Sequence, residues 1–272
     1  ERSARRWSRL DGLRGALFAR LSAALAQSAA DGDRLRRLGV PAVTVTGNLK
    51  FDGRPLAVDA AELARLAAAI AGRPTWVAAS THAGEEEIVA AAHRTAGARL
   101  PCLLTVLAPR HPRRGDEVRT VLAAAGLTVA SRSKGETPSA ATDVYLADTI
   151  GEMGLVYRLA PVAFVGGSLV AHGGQNPIEP AVLGVAVLHG AEVRNFADVY
   201  RALDETGGAR PIGGAAELAA AVIEAHGDRA GLAARVARAH AVIEASSGAL
   251  DRTIAALAPW LAPGGEAARW AD

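Results

Sequence analysis

The chain has 272 residues, of which 50% are hydrophobic and 4% aromatic, and a formal net charge of +2. This composition is enough for a globular core built from Ala, Val, Leu and Ile. The small charge gives no support for nucleic-acid binding, and no aromatic residues alternate with the arginines as a base-stacking surface requires. A single cysteine, Cys102, excludes an internal disulfide and a thiolate metal cluster, and we expect it to be a small core residue. No segment has the length and polarity of a membrane span.

Residues 1–40 have a basic, helical pattern. Arginines and apolar residues alternate there at helical spacing: Arg2, Arg5, Arg6, Arg9, Arg14, Trp7, Leu10, Leu13, Leu17 and Phe18. We interpret the pattern as an amphipathic packing helix with its arginines in solvent, and a basic surface against anionic lipid is the alternative. Asp31-Gly32-Asp33 resembles a metal-binding pair. The helical spacing of Leu35 and Leu38 favours a helix start with acidic first-turn residues instead.

From residue 74 onward, apolar strand-like runs alternate with helical patterns. The predicted strands are Trp76–Ala79, Leu103–Leu107, Leu127–Ala130, Val162–Val165, Val185–Leu188 and, more weakly, Ala209–Pro211. The predicted helices are 85–97, 114–125, 152–159, 177–183, 197–206 and 215–226, followed by 228–245 and 248–258. Short buried strands that alternate with helices are typical of a parallel sheet covered on both faces. The sequence therefore predicts an α/β, Rossmann-like domain of six strands.

Two glycine pairs follow the predicted strand Val162–Val165, and the second pair, Gly173-Gly174, leads into Asn176-Pro177-Ile178-Glu179. This quartet can start a helix with Asn176 as N-cap, Pro177 at the first helical position and Glu179 reaching back as in a capping box. Such a loop and helix start can direct free N–H groups at a phosphate, while Glu179 accepts hydrogen bonds from a ribose. An ordinary strand-to-helix connection is the other interpretation, and both stay open.

Polar residues also follow the other predicted strands, where the carboxyl ends of parallel strands form a ligand-binding edge. Arg110 can hold a phosphate through two parallel hydrogen bonds, or it is an exposed loop arginine. His82 is either a donor in a loop or a solvated histidine. Its spacing to Glu85 and Glu86 is not that of a zinc-binding helix, so we interpret those glutamates as an acidic first turn.

Taken together, these motifs resemble one family. They are Thr46-Gly47-Asn48-Leu49-Lys50-Phe51-Asp52, Ser80-Thr81-His82, Gly84-Glu85-Glu86, Pro109-Arg110-His111, Gly151-Glu152, and the stretch Gly173-Gly174-Gln175-Asn176-Pro177-Ile178-Glu179-Pro180. Their order and identity are similar to those of the 3-deoxy-D-manno-octulosonic acid (Kdo) transferases. The resemblance extends from about Gln27 almost to the end of the chain. Two departures are Gln175, where the family often has histidine, and His189-Gly190-Ala191, where a Gly-Pro pair is common.

The resemblance implies a GT-B glycosyltransferase with two Rossmann-like domains. Residues 1–50 would be a remnant of the N-terminal acceptor domain and the linker, and residues 51–272 would bind CMP-Kdo. The family transfers Kdo to a lipid A precursor in lipopolysaccharide biosynthesis, inverts the anomeric carbon, and uses no cofactor or metal for the transfer. We expect its general base, a glutamate, upstream of Glu1, so that this chain holds no catalytic residue and is inactive alone.

The resemblance also implies the ligand contacts and the location. The CMP contacts are carried over to Pro109, Arg110, Gly151, Glu152, Met153, Asn176, Pro177, Ile178 and Glu179. Further donor-site contacts are His82, His111, Gly173, Gly174 and Gln175. The expected partners are CMP-Kdo and a lipid A precursor, without nucleic acid, and the expected location is the cytoplasmic face of the bacterial inner membrane. The alternatives are another GT-B sugar-nucleotide enzyme, such as a UDP-sugar transferase or an epimerase, and a non-catalytic nucleotide-binding module.

Overall fold

The computed structural model describes residues 16–261, which form two compact units. The larger unit is Pro55–Ile243, and the smaller one consists of the described residues before Pro55 and after Ile243. The part of the predicted basic helix that covers residues 1–15 lies outside the described residues.

From residue 74 to the end of the larger unit, the bounds of the predicted elements agree closely with the structure, whereas the helix Ala60–Ala69 was not predicted. The strands are β1 (Ala24–Ala26), β2 (Val43–Val45), β3 (Thr75–Thr81), β4 (Leu104–Pro109), β5 (Val129–Ser131), β6 (Val144–Leu146), β7 (Val162–Val165), β8 (Ala186–His189) and β9 (Ala209–Pro211). The helices are α1 (Ala29–Arg37), α2 (Ala60–Ala69), α3 (Glu85–Gly97), α4 (Gly115–Ala124), α5 (Met153–Arg158), α6 (Ile178–Val182), α7 (Ala197–Glu205), α8 (Ala215–Gly227), α9 (Arg229–Ser246) and α10 (Ala249–Leu261).

The smaller unit contains a two-stranded parallel sheet that the sequence analysis missed. Ala24–Ala26 form β1, which pairs with β2, so the prediction of helix throughout residues 1–40 is wrong there. The helix start at Asp31 is confirmed: Ser28 caps α1, and Asp31 accepts hydrogen bonds from the Ser28 side chain and from Arg34. Asp31-Gly32-Asp33 is thus an acidic helix start.

The motif that ends at Asp52 holds the last helix of the same unit. Both carboxylate oxygens of Asp52 accept backbone N–H groups at the start of α10, from Gly248 at 2.5 Å and from Leu250 at 2.6 Å. Arg252 of α10 in turn donates a hydrogen bond to the Thr46 carbonyl at 2.8 Å. The specific Gly-Asn-Leu-Lys-Phe-Asp sequence therefore has a structural role as a cap for α10.

The larger unit is built on a seven-stranded sheet in the order β5-β6-β4-β3-β7-β8-β9, and every pair in it is parallel. The α/β, Rossmann-like prediction is confirmed. The prediction of six strands is wrong by one, because it omitted β6. Packed apolar clusters lie on both faces of the sheet, around Trp76 and Phe164 on one and around Val77 and Tyr145 on the other.

Cys102 is not a core residue. Its side chain is exposed, its backbone has a φ of 58°, and its carbonyl accepts a hydrogen bond from Arg73 at 2.9 Å. The apolar run was predicted to begin near it, but the strand starts at Leu104, and Cys102 belongs to the turn before it. A positive φ is uncommon in non-glycine residues, so this turn is set by its hydrogen bonds and not by packing of the thiol.

Candidate functional site

Most of the predicted site residues lie in loops at one edge of the seven-stranded sheet. β3 is central, with β4 on one side and β7 on the other, so the order of strands reverses between β3 and β7. His82 follows β3, Arg110 follows β4, and the glycine-rich loop follows β7. A reversal of this kind opens a crevice beyond the carboxyl ends of the strands, where α/β proteins bind ligands.

The glycine-rich loop after β7 is held by a buried carboxylate. Glu85 at the start of α3 is fully buried and accepts four backbone N–H groups. The donors are His82 at 2.9 Å, Gly167 at 2.7 Å, Ser168 at 3.1 Å and Leu169 at 3.0 Å. The prediction that this loop directs free N–H groups at a phosphate is therefore wrong for residues 167–169, because Glu85 already accepts them.

The second glycine pair is in turn held by this loop. Gly174 N–H donates to the Gly167 carbonyl at 2.7 Å, and Gln175 N–H donates to the Gly166 carbonyl at 3.0 Å. Gly173 and Gly174 both have positive φ values, 88° and 75°, which glycine adopts without strain. The loop and the residues predicted to contact the donor thus form one hydrogen-bonded unit.

The start of α6 differs from the predicted capping box. Asn176 accepts the N–H of Ile178 at 3.1 Å, and its amide donates to Glu179 at 3.1 Å. Pro177 takes the N-cap position, and Glu179 does not reach back to a backbone N–H. α6 has only five residues, so its dipole is a weak source of anion binding.

The positive charge of Arg110 acts on the pKa of Glu179. Burial raises the pKa of Glu179, and both the hydrogen bond from Asn176 and the positive charge of Arg110 oppose this rise. Pro109 is buried at the end of β4, and Arg110 fixes the loop through its N–H, which donates to the Thr81 carbonyl at 2.9 Å. The Arg110 side chain is exposed and forms no salt bridge within residues 16–261. Its guanidinium is therefore available to an external anion.

Three histidines meet at the mouth of the crevice. His82 stacks on His172 with ring centroids 4.0 Å apart, and it meets the edge of His111 at 5.9 Å. Its Nε2 lies 3.1 Å from the amide nitrogen of Gln175, which can only donate, so His82 Nε2 is the acceptor. Burial, and after it the charges of the neighbouring histidines and arginines, lower the pKa of His82 to about 4. His82 is a neutral, positioned side chain at neutral pH.

The Gly151–Met153 segment follows β6 and lies in a different environment. Glu152 accepts two hydrogen bonds of 2.5 Å from Arg132, and a further one from the Thr149 hydroxyl. These bonds, above all those from Arg132, lower the pKa of Glu152. Arg132 also donates to Glu62 at 2.6 Å. The Glu152 carboxylate is thus engaged within the protein, and the Glu152 backbone carbonyl accepts the N–H groups of Leu155 and Val156, so the segment has its backbone N–H groups to offer a ligand.

An open recess of about 500 Å³ lies beside this segment. It is lined by the charged residues named above and by Tyr145, Thr149 and Ile150, whose side chain is 87% exposed. Hydrogen bonds from Arg65 and then Arg132 lower the pKa of Glu62 to about 2. We call the group Glu62, Arg65, Arg132 and Glu152 the arginine cluster. It is a polar wall fixed by ion pairs.

The roles of Glu85 and Glu86 were missed by the sequence analysis. The helix does begin at Glu85, as predicted, but both side chains are buried and hydrogen-bonded. Glu86 accepts the Thr81 hydroxyl at 2.9 Å and Arg114 at 2.9 Å. Acidic residues in a first turn are common, so only their adjacency to the Ser80-Thr81-His82 motif indicated a more specific role.

The described part of the chain contains neither a group of metal-binding side chains nor a membrane-spanning helix. Within residues 16–261, no three His, Cys, Asp or Glu side chains are grouped so that they could hold a metal ion. None of the helices described there has both the length and the apolar character needed to cross a membrane.

Comparison with known proteins identifies close relatives. The family described as 3-deoxy-D-manno-octulosonic-acid transferase (kdotransferase) matches residues 1–53. A 3-deoxy-D-manno-octulosonic acid transferase from Haemophilus influenzae is 35% identical over 268 residues, which is 96% of this chain and 62% of that protein. The corresponding transferase of Bordetella pertussis is 41% identical over 258 residues, which is 92% of this chain and 59% of that protein. The chain thus spans about three fifths of the length of these relatives.

A solved structure is similar to most of the chain. The C-terminal CMP-Kdo binding domain of WaaA from Acinetobacter baumannii superposes with a TM-score of 0.65 and 32% sequence identity. The match covers 68% of this chain and 97% of that domain. The likeness in fold and sequence therefore extends over nearly the whole of a nucleotide-sugar-binding domain.

Proposed function

The chain belongs to the family of 3-deoxy-D-manno-octulosonic acid transferases, and we propose that it binds CMP-Kdo at the carboxyl edge of its seven-stranded sheet. Its seven-stranded unit is the Rossmann-like, C-terminal half of a GT-B fold. The bound nucleotide would lie along the loops that follow β4, β6 and β7. The domain boundary that we propose is near residue 50, with donor binding in residues 51–272.

The observation that carries this proposal is the exposed Arg110 at the carboxyl end of β4, whose positive charge acts on the half-buried Glu179 of α6. An exposed guanidinium without a salt bridge can take the phosphate of CMP through charge-assisted hydrogen bonds. The half-buried carboxylate of Glu179 can accept the hydroxyls of the adjacent ribose.

The base of the nucleotide is assigned to the segment Gly151–Met153. The Glu152 side chain is held by Arg132, so the backbone groups of this segment, and not its carboxylate, would read the edge of the cytosine. The sugar would then face the remaining donor-site residues, which are His82, His111, Gly173, Gly174 and Gln175.

The reaction that we propose for the whole enzyme is transfer of Kdo from CMP-Kdo to a lipid A precursor, with inversion, at the cytoplasmic face of the inner membrane. In this division of labour the present chain supplies donor binding. Arg110 would stabilise the charge on the departing CMP, a form of electrostatic catalysis. The general base that deprotonates the acceptor hydroxyl would come from the part of the family that this chain does not span.

Calorimetric titration with a nucleotide panel tests the donor assignment. We expect the 272-residue chain to bind CMP more tightly than UMP and AMP, because the segment Gly151–Met153 reads the base. Preference for UMP would favour a UDP-sugar enzyme of the same fold and would contradict the proposal.

Glu179→Gln separates a ribose ligand from a structural residue. The glutamine can still accept from Asn176, so we expect the melting temperature to change little. CMP affinity should fall, since an amide is a poorer acceptor than a carboxylate. A lower melting temperature with unchanged CMP affinity would assign Glu179 to the structure alone.

The donor-only role is tested by an activity assay. We expect residues 1–272 to bind CMP and yet transfer no Kdo, since lack of a positioned general base typically lowers a rate by about 10²–10⁴-fold. The chain is incubated with fresh CMP-Kdo and a lipid A precursor, and the lipid is analysed by mass spectrometry. Kdo-bearing lipid, formed at the rate of a full-length relative, would refute the donor-only role.

A further inference from the structure

The loop after β7 has the form of an anion-binding nest. Gly167 has a φ of 67°, in the left-handed region, and the successive N–H groups of residues 167–169 converge on one point. Convergent backbone N–H groups of this kind bind phosphates and other anions in many proteins. Here the anion is internal, because the Glu85 side chain reaches the nest from α3.

The fit between Glu85 and the nest is close. Glu85 is fully buried, and both its oxygens accept two N–H groups each. Because every partner is a donor, the side chain binds as a carboxylate. A Cβ at Gly166 would lie only 2.9 Å from Glu85 Oε2 and 2.6 Å from the Ser80 carbonyl. Only glycine therefore allows the backbone directly after β7 to lie this close to Glu85 and Ser80.

We propose that Glu85 is the positioning residue of the donor crevice, an internal carboxylate that fills the nest a phosphate would otherwise take. This inference rests on the proposed function. Glu85 accepts one hydrogen bond from the His82 N–H after β3 and three from the N–H groups of Gly167–Leu169 after β7. The two sides of the crevice are therefore held together by a single side chain.

The positioning extends to the residues that would touch the donor. The Gly166 and Gly167 carbonyls accept the N–H groups of Gln175 and Gly174, and the Gln175 amide then donates to His82. Movement of the nest would shift both glycine pairs and the histidine at once.

Because Glu85 fills the nest, the phosphate of the donor has to be bound elsewhere. With the N–H groups of residues 167–169 bound to Glu85, the loop has little left for a diphosphate, and Arg110 becomes the main phosphate contact. This arrangement suits a nucleoside monophosphate sugar, which carries a single phosphate.

The test is chemical rescue of Glu85→Ala. This substitution removes the equivalent of one acetate ion and leaves a cavity lined by N–H donors. We expect CMP affinity to fall by about tenfold or more, because buried N–H groups lose a charged acceptor. Sodium acetate, against sodium chloride at equal ionic strength, should restore part of the CMP affinity and raise the melting temperature of the variant, with no such effect on the wild-type chain.

Two further variants keep the test decisive. Glu87→Ala, an exposed neighbour on the same turn of α3, should match the wild type in every measurement. Glu85→Gln fills the cavity but turns an amide toward N–H donors, so it should lose CMP affinity as Glu85→Ala does, even if the alanine variant fails to fold.

The outcomes separate this inference from the proposed function. Unchanged CMP affinity in folded Glu85→Gln, or a melting temperature of Glu85→Ala that responds equally to acetate and chloride, would overturn the role of Glu85. A wild-type chain that binds no CMP would overturn the donor proposal, while the acetate effect on melting would still report on the nest.

Discussion

The carboxyl edge of the sheet is fixed by two different means on its two sides. In the crevice between β3 and β7, one fully buried carboxylate, Glu85, holds backbone N–H groups. Beside β6, the arginine cluster holds the Gly151–Met153 segment through side chains that solvent partly reaches, with Arg132 14% and Glu152 30% exposed. The first arrangement fixes backbone geometry where phosphate and sugar would lie. The second leaves an open recess, where under our proposal only the base would have to be read.

The largest effects are expected where a glycine lies against other backbone atoms, and each side has one such glycine. A Cβ at Gly190 would overlap the backbone of Ser168 in the crevice, and one at Gly154 would overlap the Ala57 carbonyl beside the recess. We expect Gly190→Ala and Gly154→Ala each to lower the free energy of unfolding by about 2–3 kcal/mol, because backbone has to move. Urea denaturation measures this change.

Gly97→Ala is the matched control, since nothing lies within 4 Å of its added Cβ. It should leave stability unchanged or raise it by up to about 1 kcal/mol, because alanine is the better helix former. If Gly190→Ala were as well tolerated as this control, the crevice would not be rigid and the contrast would fail.

Arg132→Ala removes the central cation of the arginine cluster beside β6. It leaves Glu62 and Glu152 without their shared cation, and we expect a loss of about 1–2 kcal/mol, below the value for a fully buried pair because solvent screens these groups. Arg65→Ala removes the exposed partner of the same Glu62 and should lower stability less than Arg132→Ala does, because solvent screens it. Equal losses in thermal unfolding would show that Arg132 has no special position.

The two sides should also differ in their pH dependence. The folded-state pKa of His82 is lowered to about 4 from an ordinary 6.5, so an unfolded chain takes up the proton first and stability falls as the pH drops from 6.5 to 4. The pKa of Glu62 is lowered to about 2 from 4.5, so its contribution is complete above pH 4.5 and is lost as the pH falls toward 2.

Variants isolate these two windows. The difference in melting temperature between wild type and His82→Gln should change only above pH 4, and that between wild type and Glu62→Gln should change only below pH 4.5. Coincident windows would contradict the separate environments that we describe.

The sequence located the loops that form the candidate site, but it did not predict the hydrogen bonds that hold these loops in place. Apolar runs and glycine pairs located β3, β4 and β7, and parallel strands bring their ends together. Three of the four partners of Glu85 lie 82 to 84 residues away along the chain, and no local pattern encodes them. For the same reason the filled nest and the Arg132–Glu152 pair were missed.

The measurement that tests the donor site most directly is calorimetry of CMP and cytidine with Arg110→Ala. We expect the variant to lose about 1.5–3 kcal/mol of CMP binding, the value of a hydrogen-bonded charge, while cytidine binding stays unchanged. Arg113→Ala, an exposed neighbour, should bind both as the wild type does. Equal losses for CMP and cytidine, or no loss for either, would contradict the placement of the phosphate at Arg110.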